Sequence, residues 1–344
     1  MDLLLHIGTE KTGTKTIQRF LALNRDLLAG QGICVPRTLG EPNHRRLPAI
    51  ACDLAYVDDY FQRLNLQDAA ARRAAKDLWW ASFTTEIARA AAAPVPATRV
   101  IISCEQLQSR LTRPGEIARL QALLAPLFAR ITVLVYLREP LATAVSLYST
   151  AVKGGSDLAG PRPPGHPYFG NVVNHARTLQ RWGEVFGVAN LQPRLFLPEA
   201  FRGGDLLTDF IAAAALPPAA HLRPDPQNET LSGLGIELLR RVNQRLPLFQ
   251  PDGTLNPARG RITDPFQRHF SSGPRYVPAP ALVAAYQAAF AASNDQVRRD
   301  WFPDRPGLFP ATPPQAGPDV AALPDPASLD RLADLLVEIW TRAR

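Results

Sequence analysis

The chain opens on an apolar run, Leu3-Leu4-Leu5-His6-Ile7, that stops at Gly8, and apolar positions return after Gly13 as Ile17, Phe20, Leu21, Leu27 and Leu28. The first run has the length of a short buried strand, and the second set recurs at helical spacing on one face. Gly30 and Gly32 are stop signals, after which Ile33–Pro36 predicts a second short strand. Helical patterns follow over 47–64 and 68–93, the second alanine-rich with Trp79-Trp80. Arg99–Ser103 is a compact β-branched run ending at Cys104-Glu105. A helix over Pro114–Leu124 leads to Ile131–Leu137, the most strand-like segment of the chain. Pro140 suits the first turn of a helix whose apolar face is Leu141, Ala144, Val145, Tyr148 and Val152. Helices near 171–186 and 204–215 bracket one more strand, Leu191–Leu197. Strand alternating with helix predicts an α/β fold, a central parallel sheet flanked by helices.

Gly154–Gly170, Pro217–Pro226 and Pro247–Pro280 carry too much Gly and Pro for regular structure. The expected organisation is one α/β domain over 1–305, then a Pro-rich tail and a final amphipathic helix within 306–344. Apolar content of 46% and charged content of 20% belong to a soluble globular protein. MDLLLHIG lacks a basic n-region, and no run approaches the ~18 apolar residues that span a bilayer, so a cytoplasmic location without stable membrane insertion is expected. Cys34, Cys52 and Cys104 have no C-x-x-C spacing and read as buried small residues, with neither disulfide framework nor metal site. The net charge of +7 favours anionic ligands, but no basic run with interleaved aromatics points to nucleic acid.

The chemistry concentrates at the first turn. A strand, a Gly-containing loop and a helix N-terminus make an anion cradle, because unpaired N–H groups and the positive end of the helix dipole face the loop. Lys11, Thr12, Thr14, Lys15 and Thr16 add side-chain donors. Gly8 and Gly13 have the spacing of the G-x-x-x-x-G-K-[ST] phosphate loop, but Thr14 stands where the lysine belongs, which argues against ATP or GTP hydrolysis.

Lys11-Thr12-Gly13-Thr14 resembles instead the 5′-phosphosulfate loop of the sulfotransferases, K-[ST]-G-T-[TS], a P-loop-like element in which lysine precedes glycine. A second motif extends the resemblance: Ile131–Leu137 ends in Arg138, and Ser146 follows eight residues later on the next helix, in YLREPLATAVSLYS. A guanidinium at a strand end can fork onto phosphate oxygens that a hydroxyl two helical turns along also reaches. Asn228–Asn243 and Ser293–Phe302 look like segments of bacterial sulfotransferase-like proteins. Lys15 departs from the pattern, since the family usually has Thr or Ser there; Thr14 or Thr16 then supplies that hydroxyl.

The resemblance implies transfer of the sulfuryl group of 3′-phosphoadenosine-5′-phosphosulfate (PAPS) to a hydroxyl or amine of a glycan or small-molecule acceptor. It implies a loop of Lys11, Thr12, Gly13, Thr14, Lys15 and Thr16 on the 5′ group, Arg138 and Ser146 on the 3′-phosphate, and basic cover from Arg259, Arg261, Arg268 and Arg275. His44, in the loop Arg37–Arg46, and Glu105, at a strand end, compete for the general base, with Glu10 a third candidate. His6 reads as a core histidine, and His166, His175, His221 and His269 as surface residues. Two other classes stay open: a P-loop-like nucleotide kinase, and a non-catalytic nucleotide- or glycan-binding protein of the same fold.

Overall fold

Five strands, β1 (Asp2–His6), β2 (Ile33–Cys34), β3 (Arg99–Ser103), β4 (Arg130–Leu137) and β5 (Leu191–Leu195), form one wholly parallel sheet in the order β2-β3-β1-β4-β5 in the computed structural model. The helices are α1 (Thr14–Leu23), α2 (Arg25–Ala29), α3 (Arg46–Ala51), α4 (Asp59–Arg63), α5 (Ala69–Ala91), α6 (Gln106–Arg110), α7 (Pro114–Leu124), α8 (Pro140–Lys153), α9 (Pro167–Val172), α10 (His175–Phe186), α11 (Leu206–Ala213), α12 (Gly233–Arg245), α13 (Thr263–Phe270), α14 (Pro280–Trp301) and α15 (Pro326–Arg342). The structure describes residues 1–225, 230–252, 254–310 and 326–342. Part of the expected tail, 311–325, and the start of the Asn228–Asn243 segment lie outside them.

The described chain divides into two units. The first comprises Met1–Glu139, Pro167–Asp225 and Ser293–Leu308 and holds the whole sheet. Side chains alternate across a strand, so Leu4, Ile101, Leu134 and Tyr136 share one face, where they pack with Ile17, Phe20 and Leu21 of α1 and Phe210 of α11. Leu3, Leu5, Val133 and Val135 have the opposite parity and are also buried, which is why these strands read as continuous apolar runs. Behind the first face, buried Asp209 accepts from Tyr136 Oη at 2.8 Å and from Arg194 Nε at 2.6 Å. The second unit comprises Pro140–His166, Pro226–Ala292 and Phe309–Arg344. Its core joins Tyr148 and Val152 of α8, Ile236, Leu239 and Val242 of α12, Ile262, Phe266 and Leu329. Arg241 and Arg245 of α12 pair with Asp330 and Asp334 of α15. No described helix is long and apolar enough to cross a membrane.

The segment 47–64 is two helices rather than one. Asp53 accepts from the Ala55 N–H at 2.9 Å, and Asp58 caps α4 through the Tyr60 N–H at 3.1 Å. Side chains that bond nearby backbone in this way compete with a continuing helix. Within the expected irregular stretch 247–280, α13 forms because Ile262 and Phe266, four residues apart, both reach the second unit's core.

Candidate functional site

The chain leaves β1 toward β2 on one side of the sheet and leaves β4 toward β5 on the other. The carboxyl ends of β1 and β4 therefore flank the crevice where ligands of open parallel sheets bind. The β1–β4 pairing runs on past β1 itself. Ile7 N–H donates to Leu134 O at 3.0 Å, Tyr136 N–H to Gly8 O at 2.7 Å, and Thr9 N–H to Tyr136 O at 3.0 Å. The loop then turns sharply, with Lys11 at φ 66° and Gly13 at φ 71°. Inside it, buried Thr12 donates from its hydroxyl to Thr9 O at 2.7 Å. Gly13 precedes α1 in a left-handed conformation, and a Cβ there would stand 2.3 Å from a Leu206 methyl. The first N–H groups of a helix point out of its N-terminal end, so this cap sets the start of α1 beside the loop, while the Thr16 N–H turns back to Gly13 O at 2.9 Å. Thr14 is buried, Lys11 half-buried, and Lys15 and Thr16 are exposed.

Arg138, just past the end of β4, donates from Nη1 to Lys11 O at 2.6 Å. Its guanidinium lies over the Phe196 ring, 5.4 Å from the centroid. Burial lowers its pKa while Glu139 works in the opposite direction, and a guanidinium stays charged throughout. His175 holds the same corner: its Nε2 donates to Arg138 O at 2.7 Å, and burial depresses its pKa to about 4. His175 is thus a buried brace rather than a surface residue.

Glu105 follows β3 on the same sheet edge, half-buried. It accepts from Gln18 Nε2 at 2.7 Å, from Asn43 Nδ2 at 3.3 Å to each oxygen, and from Gln106 Nε2 at 3.2 Å. Gly8 packs directly on it: with φ 104°, a Cβ there would lie 3.0 Å from both Cα and Cβ of Glu105. Glu10 pairs with Arg110 at 3.3 Å, and Arg110 lies over the Tyr168 ring at 5.7 Å.

His44 is not with them as a free base. Its ring is buried, Nδ1 accepts from the Ser103 N–H at 2.9 Å, and Nε2 donates to Pro36 O at 2.9 Å. Burial lowers its pKa to about 4 against the pull of the Pro36 carbonyl, so the ring is neutral with both nitrogens engaged. The expectation of His44 as general base is corrected: this histidine ties the loop after β2 to the end of β3. His6 is the core residue expected, with Nδ1 2.8 Å from Ser103 Oγ and a pKa depressed by burial to about 3.

In the second unit, Ser146 is half-buried on α8, and its carbonyl accepts from the Thr150 hydroxyl at 3.1 Å. Arg259, expected as basic cover, is buried there, donating to Leu246 O at 2.7 Å and Asn243 Oδ1 at 2.6 Å. It serves the unit's interior. Arg261 pairs with Asp264 at 2.9 Å, and Arg275 donates to Thr230 O at 3.0 Å. Cys52 and Cys104 are buried and Cys34 half-buried. Among the described residues no cluster of His, Cys, Asp or Glu forms a metal site.

Gln18, Asn43 and Phe196, to which the sequence reading gave no role, and His175, expected at the surface, stand against Glu105 and Arg138 at this sheet edge. Gln18 had a signal: it interrupts the buried stripe of α1 with an amide. No family model and no curated protein matches the chain. Among solved structures it is similar to a sulfotransferase from Alicyclobacillus acidocaldarius, at 14% identity and a TM-score of 0.42, over 87% of this chain and 94% of that one.

Proposed function

We propose that the chain is a sulfotransferase that moves the sulfuryl group of PAPS to a hydroxyl or amine of a glycan or small-molecule acceptor by in-line displacement. The observation that supports this reading is the bond from Arg138 Nη1 to Lys11 O, 2.6 Å, at the crevice between β1 and β4. It joins two motifs 127 residues apart into one cationic corner beside a helix N-terminus. Small loop residues, exposed first-turn donors and two cations suit a nucleotide with a charged 5′ group. Arg138 takes a phosphate by its guanidinium, while Ser146 is kept as its hydroxyl partner on sequence spacing alone.

PAPS supplies an activated sulfuryl group on a good leaving group. Glu105 removes the acceptor proton as the new bond to sulfur forms. The bond from sulfur to the bridging oxygen breaks, and 3′-phosphoadenosine-5′-phosphate leaves with that electron pair. Lys11 and the N–H groups of Thr12–Lys15 carry the charge that builds on the bridging and terminal oxygens, a preorganised electrostatic role worth several kcal/mol in acyl and phosphoryl transfer (~3 kcal/mol per donor). Thermal shift and calorimetry with 3′-phosphoadenosine-5′-phosphate against ATP·Mg²⁺, followed by PAPS turnover with mixed glycan and small-alcohol acceptors, test the proposal. Tight binding of the desulfonated nucleotide without Mg²⁺, together with sulfated product, is expected. Preference for ATP·Mg²⁺ would return the chain to the kinase reading, and binding without turnover to the binding-protein reading.

A further inference from the structure

Glu105 is held in an unusual way for a carboxylate at a strand end: the hydrogen bonds its carboxylate accepts all come from amide side chains, and among the described residues no cation pairs with it. Gln18 and Asn43 reach it from different elements, α1 and the loop after β2, and Gln106 follows it in the chain. Asn43 Nδ2 also donates to Gln106 Oε1 at 3.0 Å, which closes the set. Neutral dipoles orient a carboxylate without neutralising it, as a paired arginine would.

The placement of Gln18 matters most. It lies four residues after Thr14, hence on the same face of α1 and about 6 Å further along the axis. Both side chains are buried. The helix whose first turn forms the anion cradle therefore also carries the shortest bond to Glu105, 2.7 Å, one rigid turn away. Asn43 is fixed in turn by its neighbour His44, whose ring bonds to Ser103 N–H and Pro36 O lock the loop against β3. We infer that Gln18 and Asn43 are positioning residues, and that Gln18 keeps the Glu105 carboxylate in register with the nucleotide-binding end of α1. The inference rests on Glu105 as the base. It adds that an in-line displacement, which needs acceptor and leaving group aligned to well under an ångström, is aligned here through a single helical turn.

The test uses the full chain labelled with ¹³C at glutamate carboxyls, the Glu105 resonance being assigned by its loss in Glu105→Gln. Gln18→Met keeps the length and removes the donor on α1; Asn43→Leu removes a donor that lies outside α1. Thermal unfolding checks that each variant folds. Both variants should displace the Glu105 resonance in the free protein. Adding 3′-phosphoadenosine-5′-phosphate should move it in the wild type and in Asn43→Leu, and at least threefold less in Gln18→Met, with the nucleotide dissociation constant changed less than threefold. Single-turnover sulfuryl transfer by Gln18→Met should fall about tenfold at saturating nucleotide. An unchanged free-state resonance in both variants, or an equal nucleotide response in Gln18→Met, overturns the inference. If the wild type binds no nucleotide, the proposed function falls, and the free-state resonances still decide whether the two amides hold Glu105.

Discussion

Replacing His44, whose buried ring joins the loop after β2 to the end of β3, distinguishes a structural pin from a general base. His44→Ala leaves the buried Ser103 N–H and Pro36 C=O without the ring that now bonds both at 2.9 Å. Each stranded group costs about 1–3 kcal/mol, so a loss of about 3–5 kcal/mol is expected, including the void left by the ring. That is a large share of a domain stability of about 5–15 kcal/mol. The pH dependence sharpens the test. The folded protein needs this ring neutral, with a pKa near 4 against 6.5 for an unhindered histidine. A depressed histidine pKa means the unfolded chain takes up the proton first, so this contribution is complete above pH 6.5 and is lost as pH falls toward 4. The difference in pKa corresponds to about 3 kcal/mol. His6 and His175 are depressed in the same direction, but they are present in both proteins and cancel in the difference. In urea unfolding the gap between wild type and His44→Ala should therefore shrink by about 3 kcal/mol between pH 7 and pH 4. A variant as stable as the wild type at pH 7, with a gap that ignores pH and with turnover abolished, would make His44 the base after all.

Gly8→Ala forces a Cβ to within 3.0 Å of the Glu105 Cα at a φ of 104°; we expect a loss of about 2 kcal/mol in thermal unfolding and a larger loss of turnover, and an unaffected variant would refute the close packing. Lys11→Ala should lower the single-turnover rate by about 10²–10³ while changing nucleotide affinity little, whereas exposed Lys15→Ala should act mainly on affinity; the reverse pattern in rates and dissociation constants points to a P-loop-like lysine. Glu105→Gln should reduce turnover by about 10²–10⁴ with nucleotide binding retained by calorimetry. Asp209→Ala strips Tyr136 and Arg194 of their shared buried acceptor and should cost about 3 kcal/mol in denaturant unfolding without touching the chemistry directly.

The amino-acid sequence alone determined the parallel α/β class, the positions of the five strands, and the loop that begins at Gly8. Those features rest on local periodicity: Val100–Ile102 of β3 and Val133–Leu137 of β4 are unbroken apolar runs because both faces are covered there, and α7 begins at Pro114 as the proline position dictates. Gly8 and Gly13 marked a loop before a helix, and Lys11 and Arg138 stood out as charges next to strand ends. Tertiary structure alone decided what each polar side chain does once strands distant in sequence become neighbours. His44 and Asn43 are adjacent residues in one loop, equally polar on paper. Packing against β3 buries the histidine between two backbone groups and turns the asparagine toward Glu105. Gln18 reads as a flaw in an apolar stripe until β3 brings Glu105 to it from 87 residues away. His175 and Arg259 carry no local mark of burial, because the carbonyls that hold them belong to other segments. Local pattern encodes which backbone forms and which faces are apolar. The partner of a buried donor or acceptor depends on strand order, which no short stretch of sequence contains.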